Sequence, residues 1–231
     1  MLRYNSLIGF RIQPYNDTFL YETGFVTITK SPDLFEFFLD FFMKICIIYF
    51  MTRDYAVKIL REKLKNTNLF KHSLAAEACL KELAERLGED VEKWALAGLL
   101  HDIDYEETNK QPTRHGLVGA EYLETFGLDN DIINAVKVHA GHLPAESKLD
   151  WALFAADPLT GLIVASALMH PDKSLKALDV DFVLRRFKEK RFAAGAKREQ
   201  IMTCKNLGLE LNDFIEICLR GMQKISDELG L

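Results

Sequence analysis

The apolar run Ala97-Gly98-Leu99-Leu100 ends abruptly in His101-Asp102, and this junction constrains the chain more than any other feature. An aspartate closing a segment apolar enough for a core must have a partner, because burying a lone carboxylate is too costly. Imidazole beside carboxylate is a donor set suited to zinc, iron, manganese and similar divalent ions. Further residues of ligand type stand on either side. His72 lies 29 residues before His101, Asp157 lies 55 after Asp102, and His115 and His139 fall between. Asp157 sits within the apolar stretch Trp151-Ala-Leu-Phe-Ala-Ala-Asp-Pro, where the same argument against an unpaired charge applies.

The order His72, His101-Asp102, Asp157 resembles the HD-domain superfamily of metal-dependent phosphohydrolases. The resemblance implies an all-α array of helices around a divalent-metal site, with those four residues as ligands. It also implies hydrolysis of a nucleotide or related phosphoester by a metal-activated water, with Asp102 as the catalytic carboxylate that holds the water in place. The segments His115-Gly-Leu-Val-Gly119 and Val138-His139-Ala-Gly-His142 are similar to the motifs that bind a second ion in binuclear members such as the HD-GYP phosphodiesterases. The first segment is one residue longer, and Ala140 stands where those proteins carry a paired histidine. One ion and two ions both remain open on this reading, with Fe, Mn, Zn, Ni, Co or Mg as candidates. His170, before Pro171 and remote from the pattern, is expected to be structural.

A departure from the family keeps a second function in view. Many relatives continue His-Asp as Ile-Gly-Lys, whereas this chain reads Ile103-Asp104-Tyr105-Glu106. The two acids are expected to repel an anionic substrate, so compensating cations are sought elsewhere. Lys110 and Arg114 are near in sequence, and Arg185–Arg198 holds seven basic residues in fourteen positions. Lys197 and Arg198 follow Gly195 in a loop, where Arg198 could grip a phosphate bidentately; the alternative is a solvated surface. Without such cations, the alternative function is an HD-type nucleotide-sensing or partner-binding module with little or no turnover.

Net charge of −5 over 231 residues argues against a general nucleic-acid surface. The expected partner is a phosphorylated small molecule, a nucleotide in the first instance, and not a nucleic acid; the oligomeric state is left open. Cys46, Cys79, Cys204 and Cys218 show no metal or redox spacing, which suits free thiols in the cytoplasm.

Residues 1–50 differ in kind from 51–231. They hold nine of the sixteen Phe but no Ala and no His, whereas all six His lie beyond Met51. The aromatic stretch 33–50 is interrupted by Glu36, Asp40 and Lys44 before it reaches the ~20 apolar residues of a membrane span. No stable membrane insertion is expected. Two readings stand: an over-extended reading frame with Met51 as the true start, or an accessory segment. From Met51 onward, helical periodicity predicts an all-α domain, with Ser73–Leu87, Val91–Leu100, Arg114–Phe126, Asp129–His139 and Leu149–Met169 around the motif residues.

Overall fold

A computed structural model describes residues 51–231 throughout and, before them, the backbone of 14–15, 18–21 and 24–26. The chain divides into two compact units, Met1–Tyr49 and Phe50–Leu231. In the first, β1 (Pro14–Tyr15), β2 (Thr18–Tyr21) and β3 (Gly24–Val26) form an antiparallel meander in the order β1-β2-β3. The aromatic stretch 33–50 and Cys46 lie outside the described residues.

All described secondary structure of the second unit is helical, as the periodicity predicts. Helix α1 (Arg53–Lys63) begins at Thr52, whose side chain accepts the Tyr55 N–H. Helix α2 (Thr67–Leu87) begins at Asn66, whose side chain accepts from Asn68 and Leu69, and it closes at Gly88 in the left-handed conformation. The helix thus starts six residues ahead of the expected Ser73, so His72 falls inside it and not at its mouth. Helix α3 (Val91–Leu100) is capped by Asp90 and delivers His101 at its carboxyl end.

The expected loop after Asp104 holds a turn of helix, α4 (Tyr105–Thr108), and a 3-10 turn at Pro112–Arg114. Helix α5 (Leu117–Glu124) starts later than predicted, because Gly116 has φ +78° and breaks the backbone just before it. Helix α6 (Asn130–His139) follows, then α7 (Lys148–Met169), opened by a reciprocal Ser147–Asp150 capping box. Helix α8 (Val180–Lys188), α9 (Arg198–Ile201) with its 3-10 extension Met202–Leu207, α10 (Leu211–Lys224) and α11 (Ser226–Leu229) complete the array.

The bundle is organised around α2, with α3, α7 and α10 packed on it. Two glycines set how closely. A Cβ on Gly98 would lie 2.7 Å from the Ala76 carbonyl oxygen, and one on Gly221 would lie 2.5 Å from that of Ala78. Helices α3 and α10 therefore meet α2 backbone to backbone, which draws the helix of His72 against that of His101. Helix α7 is long and apolar enough to cross a membrane by length and composition, but 56% of its most apolar window is buried in the bundle. Cys79, Cys204 and Cys218 are buried free thiols.

Candidate metal centre

Each of the four histidines has its tautomer fixed from behind. His101 and His139 both sit at the end of a helix, where the last carbonyls lack a helical donor. His101 donates Nδ1–H to the Gly98 carbonyl at 2.8 Å, and His139 donates to the Val136 carbonyl at 2.5 Å, the same three-residue reach in each case. His72 Nδ1 lies 3.0 Å from Thr160 Oγ1, which itself donates to the Asp157 carbonyl. His115 Nδ1 lies 2.9 Å from Asp104 Oδ1. All four Nε2 atoms are thereby left free to face one another, the arrangement expected of metal-binding imidazoles with their outer partners in place.

The Nε2 atoms and carboxylate oxygens converge in two groups joined by one residue. His72 Nε2 lies 3.2 Å from His101 Nε2, 3.5 Å from Asp102 Oδ2 and 3.0 Å from Asp157 Oδ1. His101 Nε2 lies 3.5 Å from Asp102 Oδ2 and 3.8 Å from Asp157 Oδ1. On the other side, Asp102 Oδ1 lies 3.2 Å from His115 Nε2 and 3.4 Å from His139 Nε2, and those two nitrogens are 3.2 Å apart. Asp102 turns one oxygen to each group.

The donor set fits divalent ions. Atoms held ~2.0–2.2 Å from a common ion lie about 3.0–3.5 Å from one another, and these separations fall in or just beyond that range. Two imidazole nitrogens facing each other at 3.2 Å also need a cation between them, either a proton or a metal. The protonation pattern shows the same demand. Burial pulls His72 down, but the carboxylates of Asp157 and Asp102 outweigh it and hold its pKa at about 9. Burial likewise opposes His115, yet Asp102 and Asp104 raise it to about 10. His101 is pushed down by burial and stays neutral. Burial works against ionisation of Asp102, but the surrounding histidines keep it well below the usual carboxylate range. One proton per half thus stands where one ion per half could bind.

The cluster has a closed base and an open rim. The His101 and His139 side chains are 0% and 2% exposed, against 23% for His72, 19% for His115 and 26% for Asp157. Solvent and any substrate reach it over those last three.

The acids expected to repel an anion do other work. Asp104 is buried: Oδ2 accepts the N–H groups of Gly116 and Gly119 at 2.8 Å each, while Oδ1 holds His115. A Cβ on Gly119 would press on that carboxyl group at 3.2 Å, and one on Gly116 would collide with Ala140 and the Val136 carbonyl. The glycines of His115-Gly-Leu-Val-Gly119 are there for close approach. Glu106 accepts the Asn66 N–H and ties the start of α2 to the loop. His142 Nε2 donates to the His115 carbonyl at 2.8 Å, and His170 packs edge-on against Phe182, away from the site.

The basic candidates are not drawn to the cluster. Lys110, Arg114 and Lys197 are exposed, and none pairs with a ligand carboxylate. Arg114 donates to Gln111 Oε1 at 3.3 Å. Arg198 is a correction to the expectation of a phosphate ligand. Its guanidinium donates to the carbonyls of Arg186, Phe187, Glu189, Phe192, Ala193 and Ala196, at 2.6–3.4 Å. The loop turns its carbonyls, not its amides, inward, and all three guanidinium nitrogens are engaged. Thr160 and Asp104 are the functional residues that sequence reasoning missed; Asp104 was legible only as a charge, and Thr160 gave no signal.

An all-α bundle with a His/Asp cluster that could hold metal at its centre defines a helical domain with a candidate metal site, and comparison with known proteins places it. Residues 69–170 match the HD domain, so the chain carries an HD domain in this segment. Among curated relatives, Ribonuclease Y of Nitratidesulfovibrio vulgaris is 35% identical over 94 residues, which cover 41% of this chain and 18% of the relative. Ribonuclease Y of Fusobacterium nucleatum is 33% identical over 93 residues, and that of Enterococcus faecalis is 34% identical over 93 residues. The match covers 40% of this chain and 18% of each of those two relatives, so it spans under a fifth of their length.

Proposed function

We propose that this chain is a phosphohydrolase that uses two divalent ions to cleave a nucleotide-type phosphoester with water. The observation that carries the reading is Asp102, whose two carboxyl oxygens face two separate histidine groups. His72, His101, Asp102 and Asp157 would hold one ion, and Asp102, His115 and His139 the other. When bound, such ions act as Lewis acids toward a phosphoryl oxygen and make water acidic enough to attack near neutral pH.

The residues of the chain supply the rest. Gly98, Val136, Thr160 and Asp104 fix the imidazoles, so little reorganisation accompanies binding or reaction. Asp102 and Asp157 carry only two negative charges between two sites, which leaves the loaded centre positive enough to attract phosphate without lysine or arginine. That removes the objection raised by the missing Ile-Gly-Lys lysine. The name of the relatives adds a phosphodiester of RNA to the substrate classes worth testing.

The test is metal analysis of the purified chain, followed by a panel of phosphomonoesters, phosphodiesters, dinucleotides and short RNA. Two equivalents of metal and metal-dependent turnover of at least one class are expected, with Asp102→Asn abolishing both. Fully loaded protein that binds a nucleotide and turns over none of the panel would refute the hydrolase and leave a sensor.

A further inference from the structure

The turn that follows His101-Asp102 is braced on several sides. Tyr105 N–H donates to the Asp102 carbonyl at 2.9 Å, so α4 begins directly on that aspartate. Thr108 donates its N–H and its hydroxyl to the Asp104 carbonyl, at 2.9 and 2.8 Å, and closes the turn. Glu106 accepts the Asn66 N–H and Glu107 meets Lys63 Nζ at 3.3 Å, which ties the turn to the junction between α1 and α2. On the inner side, Asp104 is held by Gly116, Gly119 and His115. Along 104–108, Tyr105 is the side chain that no hydrogen bond ties among the described residues, and it is 42% exposed.

Its ring is placed all the same. It meets the His115 ring edge to face, with centroids 5.2 Å apart and planes at 79°, a geometry that aromatic pairs favour. His115 is one of the three residues over which solvent reaches the cluster, and its Nε2 faces Asp102 and His139. Tyr105 therefore stands at the opening, beside the second histidine group. A phenol there is an O–H donor on a short, stiff arm, with its backbone pinned and its ring stacked.

A phosphoryl group seated on metal keeps oxygens that the metal does not reach, and a donor already in place stabilises them without reorganisation. Other donors of the region are committed elsewhere. Thr160 Oγ1 donates to the Asp157 carbonyl, His142 to the His115 carbonyl and Arg198 to its own loop. The geometry points to Tyr105 as a substrate-contacting residue that donates its phenol O–H to a phosphoryl oxygen at the metal centre. The inference rests on the phosphohydrolase reading and adds to it a residue outside the histidine–aspartate set. A neutral donor is sufficient, since the loaded centre supplies the positive charge and Tyr105 supplies direction.

Tyr105→Phe keeps the ring on His115 and removes the O–H alone, so packing and donation are separated. The whole chain, loaded with manganese, is titrated with inorganic phosphate and with fluoride by calorimetry, and metal content and Tm are measured for each variant. Tyr105→Phe is expected to bind phosphate roughly tenfold or more weakly, the loss that goes with a hydrogen bond to a charged group. Fluoride binds metal but offers no second oxygen to the phenol, so it should bind both proteins alike, with metal content and Tm unmoved. Tyr105→Lys, which returns a donor and is the residue many relatives carry here, should restore phosphate affinity and make it fall more steeply with salt than in the wild type. Equal phosphate affinity in the wild type and Tyr105→Phe would overturn the assignment while sparing the phosphohydrolase. Lost manganese or lost fluoride binding in Tyr105→Phe would overturn it as well, and would make the residue a prop for His115. A wild-type protein that binds no phosphate would remove the phosphohydrolase reading and the inference with it.

Discussion

Asp104 shows how far one residue's role depends on what surrounds it. In the sequence it is an extra negative charge next to the motif; in the fold it is a buried acceptor for two amides and the partner of His115 Nδ1. Such outer carboxylates orient the imidazole and raise its basicity as a donor. Asp104→Asn is therefore expected to weaken the ion held by His115 and His139 by about 10–100-fold, leaving the His72 half loaded. Titration of the metal-free variant by calorimetry checks this, and two wild-type affinities would show that Asp104 only packs. Glu82 makes a different kind of pair, far from the site. Its buried carboxylate binds Arg220 Nε at 2.7 Å and also Lys224 Nζ. Burial favours the neutral acid, but the two cations outweigh it and lower the pKa from its ordinary 4.5. A carboxyl group whose pKa falls on folding stabilises the fold above its unfolded value, and that contribution disappears as pH drops through the folded value. Glu82→Gln should then cost about 1–3 kcal/mol at pH 7. Denaturant melts of both proteins should show the gap narrowing below about pH 4.5, and a gap that persists to pH 3 would contradict the pairing.

At the scale of elements, the residues that converge in the cluster were legible because their chemistry is: histidine and aspartate in apolar helices have few alternative explanations. What joins them was not. That Gly98 lets α3 lie on the backbone of α2 is a matter of interhelical distance, which no single segment encodes. The early start of α2 turned on Asn66, a cap that periodicity does not weigh. The basic loop failed for a related reason, since charge density says nothing about where a guanidinium points. Ala193 in that loop holds φ +43°, a conformation that ordinarily costs a non-glycine residue about 1–2 kcal/mol, and its carbonyl accepts from Arg198. Arg198 is thus the clamp that closes the turn between α8 and α9. Arg198→Ala should expose segment 186–197 to limited proteolysis and lower stability by about 2–4 kcal/mol, with metal content and KM unchanged. Arg198→Lys should rescue little of this, because one ammonium cannot span six carbonyls. A KM raised tenfold in a protein with normal protease resistance would return Arg198 to the substrate.

For the domain as a whole, the candidate metal centre is also a junction. His72 comes from α2, His101 and Asp102 from the end of α3, His115 from the turn before α5, His139 from α6 and Asp157 from α7. An ion in each half would cross-link segments that are distant in the chain and absent as a set from any unfolded state, so binding free energy becomes folding free energy. Free metal at about a hundred times its dissociation constant contributes ~2.7 kcal/mol. A domain of this size shifts its melting point by roughly 2–4 °C per kcal/mol. Chelation should therefore lower Tm by about 5–10 °C, and restoring a divalent ion should recover it. Asp102→Asn, which breaks the bridge, should show almost none of this chelator-dependent shift. The comparison is a set of thermal melts at fixed pH, with metal content assayed in every sample. Because His72 and His115 each carry a proton in the metal-free protein, the folded apo state is held together by proton-mediated pairs and should still melt cooperatively. A wild-type protein proven metal-free, melting at one temperature with and without added ions, would show that the six ligand-type residues form a hydrogen-bonded core and hold no metal.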